Sequence, residues 1–299
     1  MNGGRPYVDQ RVVDLDASQR VAATVAAGWG LPEPTLLRRG MNAIYVCGDE
    51  VVRVGRATAP AAASHALAAV LAEHGVPTTA PVVGHAADLD GFAATGWGRI
   101  RDGGGPIDWE AVGAAVARIH TIDPSELPAA YPVPSPVTFP WWDFDEMLDS
   151  LHEHIDADAL AGLVRTTRSG QNWRDDVGHG AVVCHGDVHP GNVLATSDGP
   201  VLIDFDLLCF APPGWDHAML TTFASRWGGD ADVYPAFARG YGRSLVDDDL
   251  TVTVASLRNV AATLLRVRAG VTDPDARAEA EQRLRFWRGD PAAPQWRAQ

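Results

Sequence analysis

The strongest constraint on this chain is a short pattern of polar residues in its second half. The stretch CHGDVHPGNVL occupies residues 184–194, and VLIDFD follows at 201–206. Asp187 is followed five residues later by Asn192, and Asp204 ends an apolar run with the composition of a strand. Oxygen ligands suit the hard Mg²⁺ ion, and a carboxylate is a natural acceptor for a hydroxyl proton. This layout is typical of a phosphoryl-transfer site.

The motifs HGDVHPGN and IDFD resemble those of the aminoglycoside phosphotransferase family, whose pattern is HGD-x-x-x-x-N, an apolar strand, and then D-x-D or D-x-E. The resemblance implies an α+β, two-lobed protein-kinase-like fold, in which a small five-stranded antiparallel N-lobe with a helix precedes a larger, mainly helical C-lobe. It also implies a kinase that uses ATP or GTP with Mg²⁺. Such an enzyme phosphorylates a hydroxyl group of a small molecule directly, without a phosphoenzyme.

Three residues carry the chemistry that the resemblance implies. Asp187 is the predicted catalytic base, which orients the attacking hydroxyl and accepts its proton. Asn192 and Asp204 are the predicted magnesium ligands, and a carboxylate at the end of a buried strand is costly without a cation. Asp206 lies two residues further on, on the same side if the chain stays extended. We expect Asp206 either to help bind the metal or to brace the loop.

Three further residues are predicted to support the catalytic loop. His185 resembles the histidine that packs behind this loop in kinases, so its expected role is structural. His189 is expected to form hydrogen bonds within the loop rather than to act on the substrate. Asp216, in the segment GWDH at 214–217, matches an acid that steadies the loop backbone in the family.

The first hundred residues predict a small nucleotide-binding lobe. The expected elements are a helix at 17–27, three strands within 36–54, a helix at 59–74 and strands at 81–84 and 91–95. Five strands with one helix after the third is the arrangement of a kinase N-lobe. The predicted domains are therefore an N-lobe at 1–97 and, at 98–299, a C-lobe that holds the catalytic loop, the metal site and the substrate pocket.

The rest of the chain predicts mostly helices, with the site on short strands. Helices are expected at 108–119, 144–164, 215–227, 231–242, 247–269 and 273–287, and strands at 181–184, 193–195 and 201–203.

Five residues of the N-lobe and the hinge are predicted to contact the nucleotide, namely Gly40, Asn42, Arg53, Trp97 and Arg99. Gly40 and Asn42 belong to a flexible turn where phosphates could approach the backbone. Arg53 occupies the position of the kinase lysine that contacts the phosphates, and a guanidinium can bind phosphate oxygens through two nitrogens. Trp97 and Arg99 fall in the predicted hinge between the lobes.

The sequence departs from the kinase pattern beside Arg53. The usual partner of the lysine is a glutamate in the following helix, whereas the equivalent turn here is Ala63-Ser64-His65. Glu73 is the only carboxylate in that helix and lies near its far end. We therefore expect either that another group positions Arg53 or that nucleotide binding is altered.

The segment WWDFDE at 141–146 is the candidate substrate site, through Trp142, Asp143 and Asp145. Aromatic faces and carboxylates together could hold a cation or a sugar. A capped helix start with packing tryptophans is the favoured interpretation of the two, because acids are favourable in a first helical turn.

Charge and composition narrow the partners. The 299 residues carry a formal net charge of −14, so nucleic acid is not an expected partner, whereas a cationic small substrate would be attracted. All 24 basic residues are arginine. Without lysine, neither a Walker A loop nor a pyridoxal-phosphate Schiff base can form.

Nothing in the sequence predicts export or a membrane. The first ten residues, MNGGRPYVDQ, lack the layout of a signal peptide, and we expect no helix of the roughly 18 apolar residues that a membrane span needs. Three scattered cysteines, Cys47, Cys184 and Cys209, predict neither a disulfide framework nor a zinc ribbon. A cytoplasmic protein is expected.

Rival interpretations use the same residues. A zinc hydrolase would bind its metal through His185, Asp187 and His189. A haloacid-dehalogenase-like phosphatase fits the DFD segment, but Leu207 follows it and the usual lysine is missing. A pseudokinase would explain the missing helix glutamate, and a protein kinase would carry HRD and a later A-P-E segment. The acceptor stays open between an antibiotic such as an aminoglycoside, a sugar, an amino alcohol and a biosynthetic intermediate, so antibiotic resistance and metabolism both remain candidate roles.

Overall fold

A computed structural model of the chain describes residues 14–101 and 103–296. The first ten residues, on which the signal-peptide expectation rests, lie outside these ranges. The described chain forms a five-stranded antiparallel sheet with two helices, followed by a larger and mainly helical region. The predicted α+β architecture is confirmed.

The N-lobe is built around a central strand that carries Arg53. Its elements are α1 (Leu15–Gly28), β1 (Thr35–Arg39), β2 (Ala43–Cys47), β3 (Glu50–Arg56), α2 (Ala61–Glu73), β4 (Pro81–Leu89) and β5 (Phe92–Gly98). The strands lie in the order β1-β2-β3-β5-β4, so β3 is central. The predicted domain boundary at 97/98 falls at the end of β5.

The alternation of side chains along β3 separates the core of this lobe from its cleft face. Val52 and Val54 are fully buried against α1, beside Tyr45 of β2. The Tyr45 hydroxyl is hydrogen-bonded to the Ser18 hydroxyl of α1 at 2.7 Å, which satisfies both buried groups. Because successive residues of a strand face opposite sides, Arg53 points away from this core.

The C-lobe carries two short, two-stranded sheets among its helices. Its elements are α3 (Trp109–Ile119), α4 (Phe144–Leu151), α5 (Ala157–Ser169), α6 (Trp173–Asp176), β6 (Val182–Cys184), β7 (Val193–Thr196), β8 (Gly199–Leu202), β9 (Cys209–Ala211), α7 (Gly214–Thr221), α8 (Phe223–Arg226), α9 (Val233–Tyr241), α10 (Asp249–Gly270) and α11 (Pro274–Trp287). Strand β6 pairs with β9 and β7 pairs with β8, both antiparallel.

Two predicted helices of the C-lobe need correction, and one strand was missed. The helix expected at 144–164 is two helices, because Asp156 begins α5 by accepting the N–H of Ala159 at 3.1 Å. The helix expected at 215–227 is divided into α7 and α8. Strand β9 was not predicted, since it has three residues and pairs only with the equally short β6.

Backbone hydrogen bonds attach the β7–β8 hairpin to the N-lobe. Leu202 of β8 donates its N–H to the carbonyl of Pro77 at 2.9 Å, and it also pairs with Thr78 in a parallel bridge. Gly103 donates its N–H to Ala195 of β7 at 2.7 Å. The hairpin that leads into Asp204 is therefore held at a defined position below the sheet.

Helix α10 is the one described helix that is long and apolar enough to cross a membrane by length and composition. The expectation that no segment passes this test is therefore wrong. In the structure 56% of its most apolar window is buried inside the protein, and Val254, Leu257 and Leu264 belong to the C-lobe core. Core helices satisfy the same criterion.

Helices α3 and α9 cross so closely that a glycine of each faces the backbone of the other. A Cβ atom on Gly113 would lie 2.0 Å from the carbonyl oxygen of Phe237, and one on Gly240 would lie 1.7 Å from that of Glu110. Neither carbonyl can move without breaking the helix to which it belongs, so both positions require glycine.

We expect Gly113→Ala to lower the free energy of unfolding by about 1–3 kcal/mol, because the added methyl group forces α3 and α9 apart. Thermal unfolding of the purified protein would show a melting temperature several degrees lower. Gly28→Ala in α1 is the matched control, since a Cβ there meets nothing within 4 Å. Equal melting temperatures for the two variants would contradict the close crossing.

Candidate active site

One buried carboxylate holds the loop that follows β6. Asp216 of α7 is 1% exposed, and its two oxygens accept the backbone N–H groups of His185 and Gly186, each at 2.8 Å. Gly186 has φ +90°, and a Cβ there would lie 1.8 Å from the carbonyl oxygen of Leu207, so the position requires glycine. This is the bracing contact that the sequence predicts for Asp216.

His120 at the end of α3 partners the buried charge of Asp216. Its Nε2 donates to Asp216 Oδ2 at 3.0 Å, and its Nδ1 is hydrogen-bonded to the hydroxyl of Tyr241 at 2.9 Å. Burial raises the pKa of Asp216, but His120, His185 and the N–H of Gly186 together lower it by more, so the pKa lies below its usual range. Sequence reasoning missed His120, because it lies 96 residues before Asp216.

Three side chains surround Asp187. Asn192 donates its Nδ2 to the Asp187 backbone oxygen at 2.9 Å and to Oδ2 at 3.2 Å. His189 Nε2 lies 3.3 Å from Oδ2, and Arg258 Nη1 lies 3.6 Å from Oδ1. Burial raises the pKa of Asp187, but its contacts with His189 and Arg258, His189 first, lower it well below its usual range. The ionised side chain is still 32% exposed, so a ligand can reach it.

Arg258 of α10 is a site residue that sequence reasoning missed. Its Nη2 donates to the carbonyl oxygen of Gly186 at 2.6 Å, and its guanidinium lies 5.0 Å from the ring centroid of Trp215. The side chain is only 13% exposed. The sequence did offer a signal for it. Arg258 is the lone charged residue in the mostly apolar run VASLRNVAATLL, and a buried charge needs a partner.

The two loop histidines have different environments. His185 uses both ring nitrogens, since Nδ1 accepts the N–H of Asp187 at 3.3 Å and Nε2 donates to the carbonyl of Ile203 at 3.2 Å. Burial lowers the pKa of His185, which suits this neutral state. His189 Nδ1 accepts the N–H of Gly191 at 3.0 Å, and although burial lowers its pKa, Asp187 raises it by more. The zinc-hydrolase interpretation is unsupported, because neither nitrogen of His185 is available to a metal.

Asp204 occupies an unusual backbone conformation directly after β8. It has φ +64° and ψ +67°, the left-handed region that non-glycine residues rarely adopt. Burial, followed by repulsion from Asp206, raises the pKa of Asp204 to about 6. The side chain is 41% exposed. This strained and poorly compensated carboxylate is the group in the site that would gain most from a cation.

The residues at this end of the site suit a magnesium ion. Asn192 uses its amide nitrogen for Asp187, so its amide oxygen is the atom that a cation would use. The backbone oxygen of Asn192 accepts the N–H of Ile203 at 3.0 Å, which ties Asn192 to the residue before Asp204. One amide and one carboxylate oxygen form the hard donor set that Mg²⁺ prefers.

Asp206 faces the N-lobe. Its Oδ2 accepts from Arg53 and, at 3.0 Å, from Asn42 Nδ2. Arg53 Nη2 also lies 4.0 Å from Asp204 Oδ1. Burial lowers the pKa of Arg53, but these two carboxylates raise it by more, so the guanidinium stays charged. Of the two roles expected for Asp206, this geometry favours bracing over metal binding.

A cleft of about 640 Å³ separates the sheet from the β7–β8 hairpin. Its lining includes all the predicted nucleotide residues, Gly40, Asn42, Arg53, Trp97 and Arg99, together with Asp204 and Asp206 from below. Trp97 is held by its Nε1, which donates to the Thr95 hydroxyl at 2.8 Å. Arg99 reaches back to the carbonyl of Gly48 at 3.3 Å.

The predicted substrate segment, residues 141–146, does not line this cleft. Trp142 is 2% exposed and packs against Trp173 and Trp215, so its ring is part of the core. Asp143 caps α4 by accepting the N–H of Glu146 at 3.3 Å, and Asp145 is exposed in the first turn. The structure supports the helix-start interpretation, and it corrects the prediction that Trp142 faces a substrate.

A cleft above an ordered Asp–Asn–Asp constellation is the layout of a phosphotransferase with a kinase-like fold. The model of the phosphotransferase enzyme family, APH, matches residues 34–253. This match covers most of the chain, and the chain belongs to that family. A search of curated proteins found no match.

Solved structures of similar fold include three with distinct named ligands or families. Spectinomycin phosphotransferase APH(9)-Ia, in complex with ADP and spectinomycin, is 15% identical with a TM-score of 0.65, over 90% of this chain and 93% of that one. Aminoglycoside 2'-phosphotransferase-IIIa in its GDP complex is 15% identical with a TM-score of 0.67, over 91% and 99%. A choline/ethanolamine kinase family protein from Mesorhizobium loti is 17% identical with a TM-score of 0.64, over 93% and 95%. These likenesses confirm the kinase-like fold.

We expect Asp216→Asn to destabilise the protein by about 3 kcal/mol at neutral pH, because it removes a buried charge from three donors. The folded pKa of Asp216 is lowered, so this contribution is complete above the unfolded value of about 3.9 and is lost as the pH falls through the folded value. Denaturant unfolding at pH 7, 5 and 3 would measure it. The difference in free energy of unfolding between the wild type and Asp216→Asn should shrink only at pH 3. The exposed variant Asp198→Asn should show no such difference at any of the three pH values. A difference that does not change with pH would contradict the ionised, buried state of Asp216.

Proposed function

We propose that the protein transfers the γ-phosphoryl group of ATP or GTP to a hydroxyl group of a small molecule. The setting of Asp187 carries this proposal, since an ionised and accessible carboxylate is held by Asn192 and charge-balanced by Arg258. Asp204 lies at the adjoining cleft, opposite Arg53. A base, oxygen ligands for a cation and a phosphate-binding arginine are the parts that phosphoryl transfer requires.

In this proposal Asp187 orients the acceptor hydroxyl and takes its proton as the new oxygen–phosphorus bond forms. Its lowered pKa makes it a weak base, so its main contribution is positioning, in line with the loose transition state of phosphoryl transfer. Arg258 and His189 keep the carboxylate ionised and in place.

A Mg²⁺ ion, when bound, would neutralise negative charge on the nucleotide phosphates. Asn192 and Asp204 are the residues that would hold it. Arg53 would contact phosphate oxygens from the N-lobe side of the cleft, with Gly40 and Asn42 in the turn beside it. Trp97 and Arg99 would border the nucleotide base at the hinge.

The acceptor that we propose is a hydroxylated small molecule, with a cationic one favoured. The net charge of −14 attracts cations. Proteins of similar fold are named for spectinomycin, for aminoglycosides and for choline or ethanolamine. An antibiotic-resistance kinase in the cytoplasm is supported by the spectinomycin and aminoglycoside neighbours, and a metabolic kinase of sugars or amino alcohols is the alternative, for which the choline/ethanolamine neighbour speaks.

A catalytically weak, pseudokinase-like nucleotide-binding protein is the second candidate. It is favoured by the absence of a glutamate from the first turns of α2. The complete set of Asp187, Asn192 and Asp204 favours catalysis instead.

We expect Asp187→Asn to lower the turnover number at least about 100-fold, because the variant can neither accept a proton nor orient the hydroxyl through a charge. The measurement is ADP or GDP release with Mg²⁺ across aminoglycosides, spectinomycin, macrolides, sugars and choline-like amines. Nucleotide affinity should change little, as Asp187 lies on the acceptor side.

The matched control is Asp198→Asn, an exposed aspartate between β7 and β8. It should keep wild-type turnover. Acceptor-stimulated release that survives in Asp187→Asn would overturn the role of Asp187. Nucleotide binding by the wild type without release for any acceptor would favour the pseudokinase-like candidate.

A further inference from the structure

We propose that Asp206 is the positioning residue for Arg53, and that this pair replaces, from the C-lobe, the arginine's missing partner in helix α2. The inference deepens the proposed function and rests on it, since Arg53 is placed there as the phosphate-binding residue. It assigns Asp206 a role in nucleotide affinity rather than in holding the metal.

Helix α2 offers no acid to Arg53. Its polar residue at the cleft is Ser64, which lines the cleft together with Arg53. The neighbouring His65 packs its ring edge against Trp97, with ring centroids 4.9 Å apart. Glu73, the only carboxylate of α2, lies at the last residue of the helix and is exposed. The charge that orients the guanidinium therefore comes from below the cleft.

The geometry of arginine suits this arrangement better than that of lysine. Arg53 contacts Asp206 through Nη2, and a guanidinium has further N–H groups on its other nitrogens. One nitrogen can thus bind the positioning acid while another binds a phosphate oxygen. A lysine carries all its donors on one atom, so it would have to share that atom between both partners.

A second donor makes Asp206 a joint anchor for the phosphate-facing turn. Asn42, in the turn between β1 and β2, donates Nδ2 to the same oxygen that Arg53 contacts. The Asn42 side chain can take this conformation beside Gly55, where a Cβ would lie 2.0 Å from Asn42 Oδ1. Asp206 therefore orients two N-lobe groups at once, through one oxygen atom.

The test measures binding of ADP and of a non-hydrolysable ATP analogue with Mg²⁺ by calorimetry, together with KM and kcat where an acceptor is known. We expect Asp206→Asn to weaken nucleotide binding about tenfold or more, as for loss of a charge-assisted hydrogen bond, with a smaller effect on kcat. Asp206→Glu should retain most of the affinity. Adding Ser64→Glu to Asp206→Asn should recover affinity, because it returns an acid to α2.

A double-mutant cycle with Arg53→Gln tests the same contact independently of the Ser64→Glu rescue. The effects of Arg53→Gln and Asp206→Asn on affinity should be strongly non-additive. Additive effects, or unchanged affinity with a higher Mg²⁺ requirement in Asp206→Asn, would overturn the inference, and the second result would make Asp206 a metal ligand. Absence of nucleotide binding by the wild type would instead overturn the proposed function, and Asp198→Asn serves as the charge-loss control.

Discussion

The buried carboxylate of Asp216 is the interaction on which the rest of the site depends. It accepts hydrogen bonds from two consecutive loop N–H groups and from a histidine N–H. These three hydrogen bonds stabilise a charge that would otherwise be costly in the core. Because Asp216 lies on α7 and His120 on α3, the same bonds connect the packing of the C-lobe to the loop. Gly186 is held at φ +90° in consequence, and this turn sends Asp187 out of the core toward ligands.

Charge balance then divides the three carboxylates of the site. Asp187 has Arg258 and His189 as partners, and Asp206 has Arg53 and Asn42. Asp204 lies 4.0 Å from Arg53 and has a backbone in the left-handed region, and its pKa is raised to about 6. The protein thus places close polar partners around two carboxylates, and the third is the one at which we propose that a cation binds. The same contacts couple the lobes, since Arg53 and Asn42 belong to the sheet and Asp206 to the loop below it.

Local sequence patterns were sufficient to predict those features that depend on residues close together in the chain. The Asp–Asn spacing, the apolar strand before Asp204 and the five strands with one helix after the third all leave short-range signals, and the family match agrees with them. The errors came from packing. Trp142 was a candidate substrate residue, but its ring lies among Trp173 and Trp215 of later segments, as the helix-start interpretation expected. The helix expected at 144–164 is divided, because Asp156 caps the start of α5. Strand β9 depends on pairing with β6, which lies well before it in the sequence.

The sequence by itself determined the class of fold and the family, and it singled out Asp187, Asn192 and Asp204 as the proposed site, because phosphoryl transfer requires those residue types at a short spacing. Only the tertiary structure decided what surrounds them. His120 lies 96 residues from Asp216, Arg258 lies 72 residues from Gly186, and Arg53 lies 153 residues from Asp206. Partners so far apart are brought together by the packing of whole helices and strands, and a single sequence carries no local record of that packing.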